Sequence, residues 1–298
     1  MRFGLFGTGP WAHMVHSEAL ARHPEVEFVG VWGRNPDKAG ELAAKHGTRA
    51  YADQDELIAD VDAVAIALPP DVQAPIAIRA ARAGRHLVLD KPVSLRTEEA
   101  LELASAVAAG DVASVVFFTR RFVPENEAFL AEAIAAGGWT EARIDHLGSI
   151  FTPDNPFGAS AWRRERGGLW DVGPHALSLV LPVLGPVTEV TGLAGEHDLT
   201  AVVLRHEGGA ISRLTLSVDA PAAAARQSGE FAGAAGVRPV PDVEFDAVEM
   251  FGKAVDQLLV AAAGGPKSPV DIEFGVRVTT VLAAADQAIA EGRTVRLG

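Results

Sequence analysis

The sequence predicts an α/β chain of two domains: a doubly wound parallel sheet over residues 1–120, then an α+β domain with a mainly antiparallel open sheet over 121–298. Two patterns carry that prediction. Up to Phe118, short apolar runs alternate with stretches of helical period, as strands do with crossover helices. After Phe122, strand-like runs follow one another directly. Bulk composition agrees, since 298 residues with 48% apolar and 22% charged side chains can fill two cores.

The predicted strands of the first domain are Phe3 to Phe6, Val26 to Trp32, Ala63 to Leu68, His86 to Leu89 and Ala113 to Phe118. Helical periodicity marks Trp11 to Arg22, Asp37 to His46, Val72 to Ala83 and Thr97 to Ala109, with Gly47, Gly84 and Gly110 as C-terminal stops. In the second domain the strands are Val187 to Leu193, Leu199 to His206 and Ala210 to Val218, the last two joined across Gly208-Gly209. Helices are expected near Glu125 to Ala136, His175 to Leu184, Phe245 to Ala263 and Ile272 to Glu291. The stretch from Pro221 to Pro241, rich in Ala, Gly and Pro, has no period and reads as a loop, a frayed edge or a poorly patterned strand.

Composition removes several function classes. A net charge of −13 lacks the basic footprint that nucleic acid requires. The absence of cysteine excludes disulfides, thiolate metal sites and thiol nucleophiles. No metal site is expected. The short apolar start Phe3 to Phe6 breaks at glycines, and no apolar run approaches a membrane span, so a cytoplasmic chain without membrane contact is expected. Only five of the 26 basic residues are lysines, which gives each lysine's placement more weight.

Gly7-Thr8-Gly9-Pro10-Trp11-Ala12 fits G-x-G-x-x-A between a strand and a helix. The first glycine permits the turn, the second lets a pyrophosphate approach the backbone, and the small Ala12 lets helix and strand pack closely. In this setting residues 1–120 form a dinucleotide-binding Rossmann domain; the plain alternative is an ordinary strand-to-helix turn. After the second strand, where an acid would hold the ribose of NAD, the sequence has Gly33-Arg34 with Lys38 a turn later. These cations favour NADP, with NAD still accessible, unless Arg34 is a solvated loop residue.

Two further groups carry chemistry. Asp90-Lys91-Pro92 follows a strand at the carboxyl edge, where open parallel sheets bind ligands; the alternative is a surface ion pair. Gly167-Gly168-Leu169-Trp170-Asp171-Val172-Gly173-Pro174-His175 sets a carboxylate four residues before an imidazole. Pro174 means either a helix starting near Gly173 with Asp171 just outside, or an earlier, distorted helix. Read alone, Asp171 serves equally as a cap and His175 as a core histidine.

With these three motifs in order, the chain resembles the Gfo/Idh/MocA family of NAD(P)-dependent oxidoreductases across essentially its whole length. The family's Glu-Lys-Pro appears as Asp90-Lys91-Pro92, and its glycine-led Asp-x-Gly-x-His run as Gly167, Gly168, Asp171, Gly173 and His175. The resemblance implies hydride transfer between NADP, or NAD, and a hydroxyl-bearing carbon of a sugar, polyol or related cyclic molecule. Lys91, Asp171 and His175 would be catalytic: His175 the base, Lys91 the partner of the developing alkoxide, and Asp171 the orienting carboxylate. Gly7, Thr8, Gly9, Pro10, Trp11, Ala12, Arg34, Lys38, Leu68, Pro69, Gln73, Asp90 and Lys91 would hold the dinucleotide. Lys91, Arg121, Trp162, Arg163, Asp171 and His175 would hold the substrate. The family's Asn and His after the fourth strand are Pro70 and Gln73 here, and an acid often found three past the histidine is Ser178. Self-association as a dimer or tetramer, through the exposed sheet face of the second domain, is also implied. Two other outcomes on this scaffold are a glycosidase working through transient oxidation and a nucleotide-binding regulator. The retained Lys91, Asp171 and His175 speak against the regulator.

Overall fold

A computed structural model describes all 298 residues. The chain divides into two compact units, one of residues 1–122 with 245–277 and the other of 123–244 with 278–298. The contiguous division at Arg120 does not contain the return of residues 245–277, because a return leaves no mark in local periodicity.

In the first unit the elements run β1 (Arg2–Phe6), a π-helical turn (Ala12–His16) continuing as α1 (Ser17–Arg22), β2 (Glu27–Trp32), α2 (Pro36–Lys45), β3 (Arg49–Tyr51), α3 (Gln54–Asp60), β4 (Ala63–Ile66), α4 (Pro70–Arg82), β5 (His86–Asp90), α5 (Thr97–Gly110) and β6 (Ser114–Phe117). The six strands are all parallel, in the order β3-β2-β1-β4-β5-β6. β3 and α3 lie outside the sequence prediction: a three-residue strand and a seven-residue helix are too short to show a period.

Local chemistry accounts for the boundaries. Asn35 caps α2 by accepting from the Lys38 N–H at 3.1 Å, with Pro36 in the first turn. Asp53 caps α3 through the N–H groups of Asp55 and Glu56. The stop of α5 differs from expectation. Asp111, not Gly110, takes the left-handed position with φ 49°, and Gly110 is needed for close approach, since a Cβ there would lie 2.4 Å from the Ala81 carbonyl oxygen. The sheet core is apolar throughout, with Phe3, Leu5, Val64, Ile66, Leu87, Leu89 and Val116 buried.

The second unit contains α6 (Pro124–Ala136), β7 (Trp139–Leu147), α7 (Ala161–Asp171), α8 (Gly173–Leu184), β8 (Val187–Ala194), β9 (Thr200–His206), β10 (Ile211–Ser217), β11 (Arg226–Gly233) and β12 (Gly236–Pro239). The chain then returns to the first unit as α9 (Ala247–Ala262), which packs on β5, β6 and α1. It ends with α10 (Ile272–Glu291) and β13 (Val295–Arg296). The second sheet has the order β12-β11-β7-β10-β9-β8-β13, antiparallel except for the parallel pair β7 and β10. The indistinct 221–241 stretch is a short 3-10 turn followed by the β11–β12 hairpin, so its poorly patterned strand is real. Strict alternation gives this sheet two faces. Ala142, Ile144, Val202, Leu204, Leu214 and Leu216 point into the core. The other face carries a ladder of ion pairs, Arg213 with Glu141, Arg143 with Glu230, Arg205 with Glu189 and Arg226 with Asp145.

Candidate active site

The parallel order 3-2-1-4-5-6 places its switch point between β1 and β4, and the carboxyl ends of these strands share one edge. Gly7 leaves β1 there with φ 135°, and a Cβ on it would lie 2.4 Å from the Ala67 carbonyl oxygen, so only glycine fits. A Cβ on Gly9 would meet nothing within 4 Å, so the loop presents an open backbone at the start of a helix. That combination fits the diphosphate of a dinucleotide. Thr8 lies against Gly33, where a Cβ would come within 2.5 Å of the threonine methyl, and the chain passes directly to the exposed Arg34 and Lys38. Leu68 and Pro69 follow β4 on the same edge, half-buried. Trp11 turns its ring into a wall with Phe117 and His16 at centroid distances of 6.3 Å each, leaving its backbone to the glycine turn.

Lys91 follows β5 on this edge. Its N–H donates to the Asp90 carboxylate at 2.9 Å, and the Lys91–Pro92 peptide is cis. Gln73, expected among the dinucleotide ligands, is fully buried, and its amide is engaged with backbone. Its Nε2 donates to the carbonyls of Asp90 at 2.8 Å and Pro92 at 3.2 Å, while its Oε1 accepts from the Asp90 N–H at 2.8 Å. Gln73 therefore supports the backbone that carries Lys91. Arg121 is buried in the first unit with its guanidinium 5.6 Å from the centre of the Phe274 ring.

In the second unit, α7 ends at Asp171 and α8 begins at Gly173 with Pro174 in its first turn. This is the first of the two geometries that Pro174 allowed. The Val172 carbonyl between them accepts from the N–H groups of His175 at 3.1 Å and Ala176 at 3.3 Å. Arg163, expected as a substrate contact, donates through Nε to the Asp171 carboxylate at 2.9 Å. Its guanidinium also lies 4.8 Å from the Trp162 ring and 5.2 Å from Phe157. Asp171 is thus a largely buried carboxylate neutralised by a stacked arginine. Ser178 donates back to the His175 carbonyl at 2.8 Å, which ties it to the helix.

Three residues at this end escaped the sequence reading. His146, on the core side of β7, stands with its ring 5.9 Å from that of His175, and the Gln227 side chain lies 3.3 Å from its Nδ1. The alternation Ala142, Ile144, His146 would have marked the histidine had β7 been recognised; Gln227 lies in the stretch without a period. The third is Asp198, from the turn between β8 and β9, whose Oδ2 accepts from the Gly168 N–H at 2.6 Å and the Val218 N–H at 3.1 Å.

Residues 1–118 match the description "Oxidoreductase family, NAD-binding Rossmann fold", and residues 130–237 match the GFO/IDH/MocA C-terminal domain. The chain belongs to the GFO/IDH/MocA family. An inositol 2-dehydrogenase of Rhizobium meliloti is 29% identical over 70% of this chain and 66% of its own length. A dTDP-3,4-didehydro-2,6-dideoxy-alpha-D-glucose 3-reductase of Streptomyces violaceoruber is 31% identical over 66% of this chain and 58% of its own. The matched stretch spans about half to two thirds of the length of such relatives. GenD2 from gentamicin A biosynthesis, solved in complex with NAD, superposes with a TM-score of 0.88 at 23% identity, over 100% of this chain and 96% of that one. Levoglucosan dehydrogenase, solved with NADH and levoglucosan, gives 0.84 at 22% identity over 99% of each chain. The shared fold extends over the whole of this family member, and residues 1–118 are its NAD-binding Rossmann domain.

Proposed function

We propose that this chain is an NAD(P)-dependent dehydrogenase or reductase acting on a CH–OH carbon of a sugar, polyol or related cyclic molecule. The observation that carries the reading is Lys91, an amine held at the carboxyl end of β5 on the sheet edge that also bears the open Gly9 backbone. Relatives named for inositol and for a deoxyglucose derivative support the substrate class. When bound, the nicotinamide supplies the acceptor or donor of hydride.

The chain's own groups supply the rest. The amides at the start of the π-helical turn and the Gly9 backbone receive the diphosphate. Arg34 and Lys38 favour a 2′-phosphate, and hence NADP. His175 takes the proton of the substrate hydroxyl, and the Lys91 ammonium hydrogen-bonds the same oxygen as it gains negative charge. Asp171, neutralised by Arg163, keeps its position at the end of α7 without adding net charge there. In the reducing direction His175 returns the proton. A cytoplasmic setting and self-association through the outward sheet face, where Leu193 and Val203 are exposed, belong to the same proposal.

The test is a screen of inositols, sugars and cyclic ketones with NAD and NADP, following absorbance of the reduced nicotinamide. Turnover with at least one polyol or sugar is expected, and reduced by two orders of magnitude or more in Lys91→Ala. Cleavage of a glycoside without net cofactor reduction, or no turnover across the panel, would overturn the reading.

A further inference from the structure

Within the second unit, the break at Gly167 is the one point where α7 leaves helical geometry, with φ 63° and ψ −164°. A helix broken there exposes the next amide, because the Gly168 N–H loses its carbonyl one turn back. Asp198 takes that amide at 2.6 Å, and the same oxygen takes the Val218 N–H at 3.1 Å, so one carboxylate joins α7, the β8–β9 turn and the segment after β10. The fit leaves no slack. A Cβ on Gly167 would lie 1.9 Å from the Asp198 Oδ1, and a Cβ on Gly168 would lie 2.6 to 2.9 Å from the Ser217 backbone.

The turn is built around this contact. His197 and Asp198 both adopt left-handed φ values, 52° and 58°, which cost non-glycine residues free energy and persist where surrounding bonds hold them. Ser217 donates through Oγ to the His197 carbonyl at 2.8 Å and accepts from the Asp219 N–H at 3.0 Å. From Gly168 a short series of bonds leads onward. Its carbonyl accepts from the Val172 N–H at 2.9 Å, and the Val172 carbonyl accepts from the His175 N–H. The turn containing Asp171 and the first turn of α8 therefore take their position from the amide that Asp198 holds.

We infer that Asp198 is the positioning residue of the Asp171–His175 pair: its carboxylate anchors the broken helix α7, which presents Asp171 and leads directly into the first turn of α8, which presents His175. It acts through backbone and does not touch the reacting atoms. Its importance for turnover rests on the function proposed above; the anchoring itself does not.

Amide hydrogen exchange on the full chain tests the anchor without any substrate. In Asp198→Ala the segment 168–175 should exchange about tenfold faster, the equivalent of one lost hydrogen bond of about 1.4 kcal/mol, while 139–147 and 200–206 keep their rates. Asp198→Asn keeps an oxygen acceptor for both amides and should stay within about threefold of the native rates. Gly167→Ala, which drives a methyl into the same carboxylate, should reproduce the alanine phenotype from the other side. The His175 imidazole signal in NMR should broaden or move in Asp198→Ala and return in Asp198→Asn. With NAD and myo-inositol, Asp198→Ala should lower kcat about tenfold with the KM for NAD unchanged. Unchanged exchange over 168–175, uniform loosening of the whole unit, or equal damage from Asp198→Asn would overturn the assignment. Absence of myo-inositol turnover in the native chain would count against that substrate, and the exchange pattern would still decide the anchor.

Discussion

Each unit holds its chemical group with a polar side chain remote in sequence, fully buried in the first and half-buried in the second, and the two units use different chemistry to do it. In the first, the neutral amide of Gln73 meets one N–H and two carbonyls around Asp90 and Pro92 and leaves no charge behind. In the second, the Asp198 carboxylate collects two N–H groups, and burial pushes its pKa up against the opposing pull of those bonds. The strand end offers unpaired donors and acceptors together, which suits an amide; the broken helix and the segment after β10 each offer a donor and no acceptor, which suits an anion. The backbone to be satisfied decides which residue type can serve.

The largest expected effect lies at the group that Gln73 supports. Lys91→Ala should lower turnover by two orders of magnitude or more, about 3 kcal/mol of transition-state stabilisation, with dinucleotide affinity largely intact by fluorescence titration. A parallel loss of affinity would mean that Lys91 is part of the fold of the edge. Next in size is Gln73→Leu, which strands one donor and two acceptors around β5. Urea denaturation should show a loss of about 2–3 kcal/mol, and turnover should fall with it while NAD still binds. Full turnover in a destabilised Gln73→Leu would reduce the amide to a structural part and break the parallel with Asp198.

The same contrast explains what could be read from the sequence. The first unit was legible down to its glycine loop, because parallel strands and crossover helices write long periods and the dinucleotide turn needs glycines at fixed spacing. Only the short β3 and α3, and the return of 245–277, left no signal. In the second unit the motif 167–175 was legible as residues, yet its supports were not. Asp198, His146 and Gln227 come from a turn, a missed strand and a stretch without a period, and their roles exist only through contacts across the sheet. Arg163 was found for its residue type, and the structure turns it onto Asp171.

Buried histidines sharpen the comparison further. His206 in the second unit has partners at both nitrogens, the Gly185 carbonyl at 2.8 Å and Ser212 Oγ at 2.9 Å. His16 in the first has none, sits 4.1 Å from the Phe251 ring centre and is held by burial at a pKa of about 3. Because its folded pKa lies below the unfolded value near 6.5, the unfolded chain takes up the proton first. Stability is full above about pH 6.5 and falls as pH drops toward 3. At pH 5 the loss from His16 should be about 2 kcal/mol. His16→Leu should flatten that loss in urea titrations at pH 7 and 5. An unchanged pH dependence would remove His16 as its source.

The smallest expected effect concerns the exposed cations after β2. In the proposed reading the exposed Arg34 guanidinium makes one charge-assisted contact to a phosphate that NAD lacks, so its removal should discriminate between the two cofactors without disturbing the glycine turn. Arg34→Ala should weaken NADP about tenfold, near 1.4 kcal/mol, and leave NAD within about twofold. With Arg34 as the holder of a 2′-phosphate, raising the ionic strength should weaken NADP more than NAD, since an exposed ion pair is screened by salt. If fluorescence titrations gave the same ratio of affinities before and after the substitution, the second strand's turn would carry no cofactor selectivity, and the assignment of the 2′-phosphate to Arg34 would fall.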